Sequence, residues 1–239
     1  MPVASGLFGD LQATASLDKV LRIIGDYFLN RSIVRVAYHH HPPFGARDYD
    51  RPITVEAYGF PEGWVEEYIE NDYERVDPIT RRAMRHTQPF WWSEIQTLEQ
   101  LRPAEKDYLL AMHRAQIGDG LAVPVFGPRG RNGYVGLGFG ANARALPSHR
   151  VATFQMAAQI AHQRYCEILI DGFEHVRLSP REEEILSWAA RGKSNTVIAD
   201  ILGVSSNTVD THLRRIFAKL GVNERVTAVL RGLALGLVV

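Results

Sequence analysis

The chain has 239 residues, of which 46% are apolar, 10% aromatic and 23% charged. That excludes a disordered or fibrous protein and suits one medium and one small domain. Its 27 basic and 27 acidic side chains cancel, so the whole chain is no obvious polyanion binder. The single cysteine, Cys166, excludes an internal disulfide, argues against a cysteine-based zinc site and suits a reducing cytoplasm. No basic segment followed by an apolar one opens the chain, and no apolar run approaches the ~20 residues of a membrane span. A soluble cytoplasmic protein is expected.

Residues 10–29 carry Leu17, Val20, Leu21, Ile24 and Phe28 at helical spacing and predict one amphipathic helix. Residues 32–38 read as a strand. The stretch 39–52, rich in His, Pro and Gly, reads as a loop, in which the adjacent His39, His40 and His41 point different ways and do not chelate together. Residues 53–58 alternate like a second strand, 63–71 and 77–86 read as short helices, and 90–92 as a short strand. Pro103 opens a helix to about Ala115. Residues 121–126 and 133–139 form two strands around a GPRGRNG turn. The glycines of the second strand lack the following helix and lysine of a phosphate loop, and instead permit close approach. A long helix follows over 148–170. This order predicts an α+β chain: an α/β/α sandwich on a mainly antiparallel sheet, followed by a helical tail. The expected boundaries are a first domain at 1–171, a linker at 172–178 and a second domain at 179–239.

The tail reads as four helices. Ser179-Pro180 with Glu182 forms a capping box, Ser194 and Ser205 cap the second and third helices, and Asn223 caps the fourth. The Gly203-Val204-Ser205 turn between the second and third spells helix-turn-helix. From Arg177 onward nine basic residues face six acidic ones, so the tail is +3 and the front −3.

In the third helix Val209, Leu213, Ile216 and Leu220 form the buried stripe. Asn207, Thr211 and Arg214 lie opposite it, with Thr208, His212, Arg215 and Lys219 on a flank. Together with Lys193 and Ser206 these are the candidate DNA contacts. Arg and Asn can read guanine and adenine edges, while Lys and Arg can hold phosphates. Asp210 accepts from a cytosine amine or pairs with a neighbouring arginine.

The segment LSPREEEILSWAARGKSNTVIADILGVSSNTVDTHLRRIFAKLGVNERVTAV resembles the LuxR-type DNA-binding domain over about sixty residues. It departs from that pattern at Val197, where Glu is usual, and at Arg215, where Asn is frequent. The resemblance implies a homodimer paired through the fourth helix at Val226, Val229, Leu230 and Leu233. The expected partners are a double-stranded promoter site and RNA polymerase.

The front, in WVEEYIENDYERVDPIT, PFWW and GDGLAVPVFGPRG, resembles the autoinducer-binding domain of quorum-sensing receptors. The matched positions are Trp64, Tyr68, Asp77, Pro78, Trp92 and Gly120. The resemblance implies an N-acyl-homoserine lactone ligand held between the sheet and the helices of one face. Trp64 suits the lactone carbonyl and Asp77 the amide N–H. Tyr68 suits the amide carbonyl or walls the acyl chain, and Trp92 walls the lactone ring. Asp77 before Pro78 also suits a helix N-cap. Phe60 and Gly136 stand where relatives carry hydroxyls. Without those hydroxyls, and with volume cleared at Gly136, unsubstituted, branched or aryl acyl groups are expected over 3-oxo ones.

The expected function is therefore a ligand-responsive transcriptional regulator of quorum-sensing genes. The same fold sensing a non-lactone molecule is the alternative. An enzyme acting on acyl-homoserine lactones would need a metal cluster or activated nucleophile that no motif supplies. A phosphorylation-switched regulator would need a different order of elements. No catalytic residue, cofactor or metal is expected.

Overall fold

The computed structural model describes residues 3–49, 55–140, 146–172 and 176–238. The chain divides into two compact units, Met1–His41 with Ile53–Ile170, and Pro42–Pro52 with Asp171–Val239. Residues 53–54 of the second expected strand and 173–175 of the expected linker lie outside the described residues.

The first unit is built on a five-stranded sheet in the order β2-β1-β5-β4-β3. The strands are β1 (Arg35–His41), β2 (Val55–Tyr58), β3 (Phe90–Trp91), β4 (Asp119–Phe126) and β5 (Asn132–Gly140). Every pairing is antiparallel. The helices are α1 (Val3–Gln12), α2 (Leu17–Leu29), α3 (Trp64–Glu70), α4 (Pro78–Ala83), α5 (Ile95–Leu98), α6 (Pro103–Arg114) and α7 (Ser148–Asp171). Phe28 of α2 meets Phe154 of α7 edge-on, and Arg164 of α7 donates to the carbonyls of Leu11 and Thr14. Trp64 and Tyr68 of α3, Ile79 of α4 and Tyr108 of α6 join Ala122 and Tyr134 of the sheet in one buried cluster. The α/β/α sandwich is the result.

Two expectations are corrected. The helix predicted over 10–29 is two helices, because Ser16 breaks the run: its side chain accepts from Lys19 N and caps α2. The strand predicted over 32–38 lies three residues later, so the three histidines are on β1 rather than in a loop. Sheet pairing overrides their polarity. His39 pairs with Tyr134 on one side and Val55 on the other, and His39 and His40 are both buried.

The second unit contains α8 (Pro180–Ala190), α9 (Asn195–Leu202), α10 (Ser206–Leu220) and α11 (Arg225–Leu235). Ser179 and Glu182 form the capping box, and Ser194 and Ser205 cap as expected. Gly203, in the left-handed region at φ +65, closes α9 and opens the turn. Asn223 does not cap: Glu224 occupies the N-cap position of α11, without a side-chain bond. Ile185, Leu186, Ile198, Val209, Leu213, Ile216 and Leu220 form this unit's core.

Candidate functional site

On the α3/α4/α6 side of the sheet the packing leaves a small cavity of about 40 Å3, partly open to solvent. Phe60, Trp64, Tyr68 and Trp92 all line it. Trp64 and Tyr68 sit one turn apart on α3, so a single helix face presents both rings. Gly63 precedes them at φ +79, a left-handed turn that starts α3.

Asp77 lies behind Tyr68 and is not among the residues that line the cavity directly. It is 2% exposed and fully engaged by the protein. Its Oδ1 accepts from the backbone N–H of Ile79 at 2.8 Å and of Thr80 at 3.3 Å, capping α4. Its Oδ2 accepts from the Thr80 hydroxyl at 2.8 Å and the Tyr68 hydroxyl at 3.2 Å. Burial pushes the carboxyl above its usual range, against the pull of these donors. Tyr68 thus stands between cavity and carboxylate.

Gly136 is not on the wall either. The volume it clears is occupied by Trp92. A Cβ at Gly136 would lie 3.2 Å from Trp92 Cζ2, one at Gly138 3.4 Å from Cη2, and one at Gly120 2.6 Å from two ring atoms. Three glycines on β4 and β5 therefore form a floor on which the indole lies. Trp92 Nε1 is buried and has no partner among the described residues.

Three further polar residues line the cavity: Tyr108, Tyr134 and His39, the last expected in a loop rather than at the ligand. A signal existed for Tyr134, which shares the alternating face of β5 with Gly136 and Gly138. Burial, with the Asp77 carboxylate nearby, pushes the hydroxyls of Tyr68, Tyr108 and Tyr134 well above the ordinary tyrosine value. All three are protonated donors at neutral pH. Ala37, Ala57, Ile79, Met112 and Ile117 complete an apolar surround. The site offers hydroxyl and indole donors inside an apolar shell, which suits an acyl compound with carbonyl groups.

His40 points to the other face, as strand alternation requires. There His162 has both nitrogens engaged, Nδ1 with the Tyr38 hydroxyl at 2.7 Å and Nε2 with the Arg131 carbonyl at 2.9 Å. Cys166 is buried beside it, 3.5 Å from Nε2.

In the second unit α10 presents Ser206, Asn207, Thr211, Arg214, Arg215 and Lys219 to solvent, with Thr208 and His212 half-buried. Lys193 is exposed just before α9. Arg214 pairs with Asp210 at 2.8 Å, one of the two roles expected for that aspartate. Lys219, expected to hold a phosphate, makes an ion pair within this unit. Its ammonium lies 2.6 Å from Oε2 of Glu182, whose side chain is 4% exposed. Burial would raise that carboxyl, but the Lys219 ammonium and the Ser179 N–H hold it below its usual range. The lysine therefore ties α10 to the capping box of α8.

A small-molecule cavity on an α/β/α sandwich, in one chain with a helix-turn-helix, defines a ligand-responsive DNA-binding regulator. Residues 16–165 match the autoinducer binding domain, and residues 176–231 match the bacterial regulatory proteins of the luxR family. The chain belongs to the LuxR family of autoinducer-binding transcriptional regulators. It is 32% identical over 187 residues to the transcriptional activator protein BjaR1 of Bradyrhizobium diazoefficiens, covering 73% of this chain and 72% of BjaR1. It is 31% identical over 201 residues to RpaR of Rhodopseudomonas palustris, a quorum sensing-dependent transcriptional regulator, covering 81% of this chain and 79% of RpaR. The crystal structure of Escherichia coli SdiA has the same fold, with a TM-score of 0.75 at 19% identity over 95% of this chain and 94% of SdiA. These relatives are regulators, not enzymes. No helix among the described residues is long and apolar enough to cross a membrane.

Proposed function

We propose that the ligand is an N-acyl-homoserine lactone, and that the protein acts in the cytoplasm as a homodimer on an inverted-repeat promoter site in contact with RNA polymerase. Residues 1–171 serve as the sensor, 172–178 as the linker and 179–239 as the DNA reader, with no catalytic step and no cofactor. The observation that carries this reading is the cavity: Trp64, Tyr108 and Trp92 bring polar groups, and Tyr68 its ring, into one apolar enclosure. A ligand with an apolar tail, an amide and a lactone uses both. Exposure of Val226 and Leu233 on α11 supports pairing through that helix. Arg214, Arg215, Asn207 and Thr211 are the contacts proposed for the major groove, with half-sites about 10 base pairs apart or a multiple of that.

A second reading rests on one finding. A structure of SdiA is of its complex with octanoyl-rac-glycerol, an acyl compound without a lactone. The test is native mass spectrometry of the purified full chain, offered an acyl-homoserine lactone and an acylglycerol of equal chain length. Retention of the lactone by the DNA-binding form supports the first reading. Retention of the acylglycerol alone favours the second.

A further inference from the structure

We propose that His39 reads an oxygen substituent on the acyl chain of the ligand. This rests on the acyl-homoserine lactone reading above and adds to it a residue that sets ligand specificity.

His39 projects from β1 into the cavity and is only 3% exposed. Its ring is clamped. It stacks on Tyr134 with centroids 4.4 Å apart at 18°, meets Tyr68 edge-on at 5.7 Å, and lies parallel to His41 at 6.3 Å. Nε2 is 3.2 Å from the Tyr134 hydroxyl. Nδ1 is buried and has no partner among the described residues. Burial, reinforced by His41, lowers the imidazole to about 3, so the ring is neutral at physiological pH.

A neutral ring keeps one proton for its two nitrogens. If the Tyr134 hydroxyl donates to Nε2, Nδ1 carries the proton and seeks an acceptor. If Nε2 donates to Tyr134, Nδ1 is itself an acceptor. A ligand hydroxyl satisfies either state, and a carbonyl satisfies the first. A plain hydrocarbon chain satisfies neither and leaves a buried polar atom unmatched. The neighbouring hydroxyls are already engaged, that of Tyr68 with Asp77 Oδ2 and that of Tyr134 with His39 Nε2.

The position is distinct from the one that Phe60 and Gly136 leave without hydroxyls. Gly136 pairs with Ala37, and Tyr134 pairs with His39. His39 is therefore two residues, about 7 Å, along the strand from the place that Trp92 covers. The oxygen it reads lies at a different carbon from one beside Gly136.

The test is a dose–response series for DNA-reporter activation, with thermal shift of the purified full chain. The probes are N-octanoyl-homoserine lactone and the same compound with one hydroxyl moved carbon by carbon along the chain. At one position the wild type should respond at roughly tenfold lower concentration than to the plain chain, the gain of a single buried hydrogen bond. His39→Phe keeps the stacking on Tyr134 but removes both nitrogens, so it should lose that preference and accept the plain chain at least as well. A wild type that favours the plain chain over every hydroxylated one overturns the proposal without any variant. So does a folded His39→Phe that keeps the preference. Binding of no lactone at all overturns the underlying reading as well, and is distinguished by the absence of any thermal shift.

Discussion

Tyr68 donates its hydroxyl to Asp77 Oδ2 at 3.2 Å, and this bond joins the cavity wall to the N-cap of α4. The carboxylate expected to meet the ligand also caps α4 and accepts from Tyr68 and Thr80. Its removal should cost the fold before it costs the ligand. Asp77→Ala removes a cap worth ~0.5–2 kcal/mol and strands the buried donors of Thr80 and Tyr68, at ~1–3 kcal/mol. The ligand-free variant should melt several degrees lower. Asp77→Asn, which still caps, should fall between it and wild type. Equal melting of wild type and Asp77→Ala without ligand would sink this account.

Lys219 and Arg214 share a helix but should behave differently. Lys219→Ala leaves the buried Glu182 carboxylate without its ion partner. We expect a loss of ~1–3 kcal/mol in denaturant unfolding of the DNA-binding unit. Arg214 is exposed and paired only with exposed Asp210, so Arg214→Ala should leave stability within ~1 kcal/mol and lower DNA affinity and sequence preference. Mobility shift across a salt series separates the two. A stable Lys219→Ala with a flattened salt slope would instead assign Lys219 to phosphate contact.

The glycine floor predicts steric consequences. A Cβ at Gly120 would lie 2.6 Å from Trp92, so Gly120→Ala must move the indole, at ~1–3 kcal/mol, and should weaken the ligand response. Gly136→Ser meets the ring at 3.2 Å and should shift it only slightly. A chain responding normally with Gly120→Ala would show that Trp92 does not shape the bound state. Because Trp92 fills the space at Gly136, that glycine does not favour branched or aryl chains by clearing volume. The missing Gly136 and Phe60 hydroxyls remain the reason to expect little gain from a 3-oxo group, and a reporter series with and without it checks this.

Much of this architecture was legible in the sequence. Asp77-Pro78 announced a cap, Trp64 and Tyr68 announced a shared helix face, and three serines announced three helix starts. What stayed hidden depended on contacts distant in the chain. Nothing local shows that His39 pairs with Tyr134 across 95 residues, or that Lys219 reaches Glu182 across 37. The histidines have the composition of a loop, and pairing with strands distant in the chain puts them on β1. Trp92, far from Gly136 in sequence, takes the room that the glycine leaves.

The buried histidines give the first unit a pH dependence. Burial lowers His39 to about 3, and His41 and His162 to about 4, against about 6.5 in an unfolded chain. Below pH 6.5 the unfolded state takes up protons that the folded state refuses. Stability should therefore fall as pH falls from about 6.5 toward 4, by up to ~1.4 kcal/mol per pH unit for each histidine that stays neutral. Hydrogen exchange at pH 7 and pH 5, corrected for intrinsic rates, should show protection lost in β1 and α7 but kept in α8 and α10. Uniform loss across both units would contradict this origin.

The central claim is that occupancy of the Trp64–Tyr68 cavity governs DNA binding. The most direct measurement is the affinity of the purified full chain for its promoter site, with and without an acyl-homoserine lactone, in wild type and Trp64→Ala. The account predicts that the lactone changes wild-type affinity at least severalfold, and that Trp64→Ala, still folded, loses that change while binding DNA as the ligand-free wild type does. A wild-type affinity indifferent to the lactone, or a Trp64→Ala protein that responds as wild type does, would contradict it.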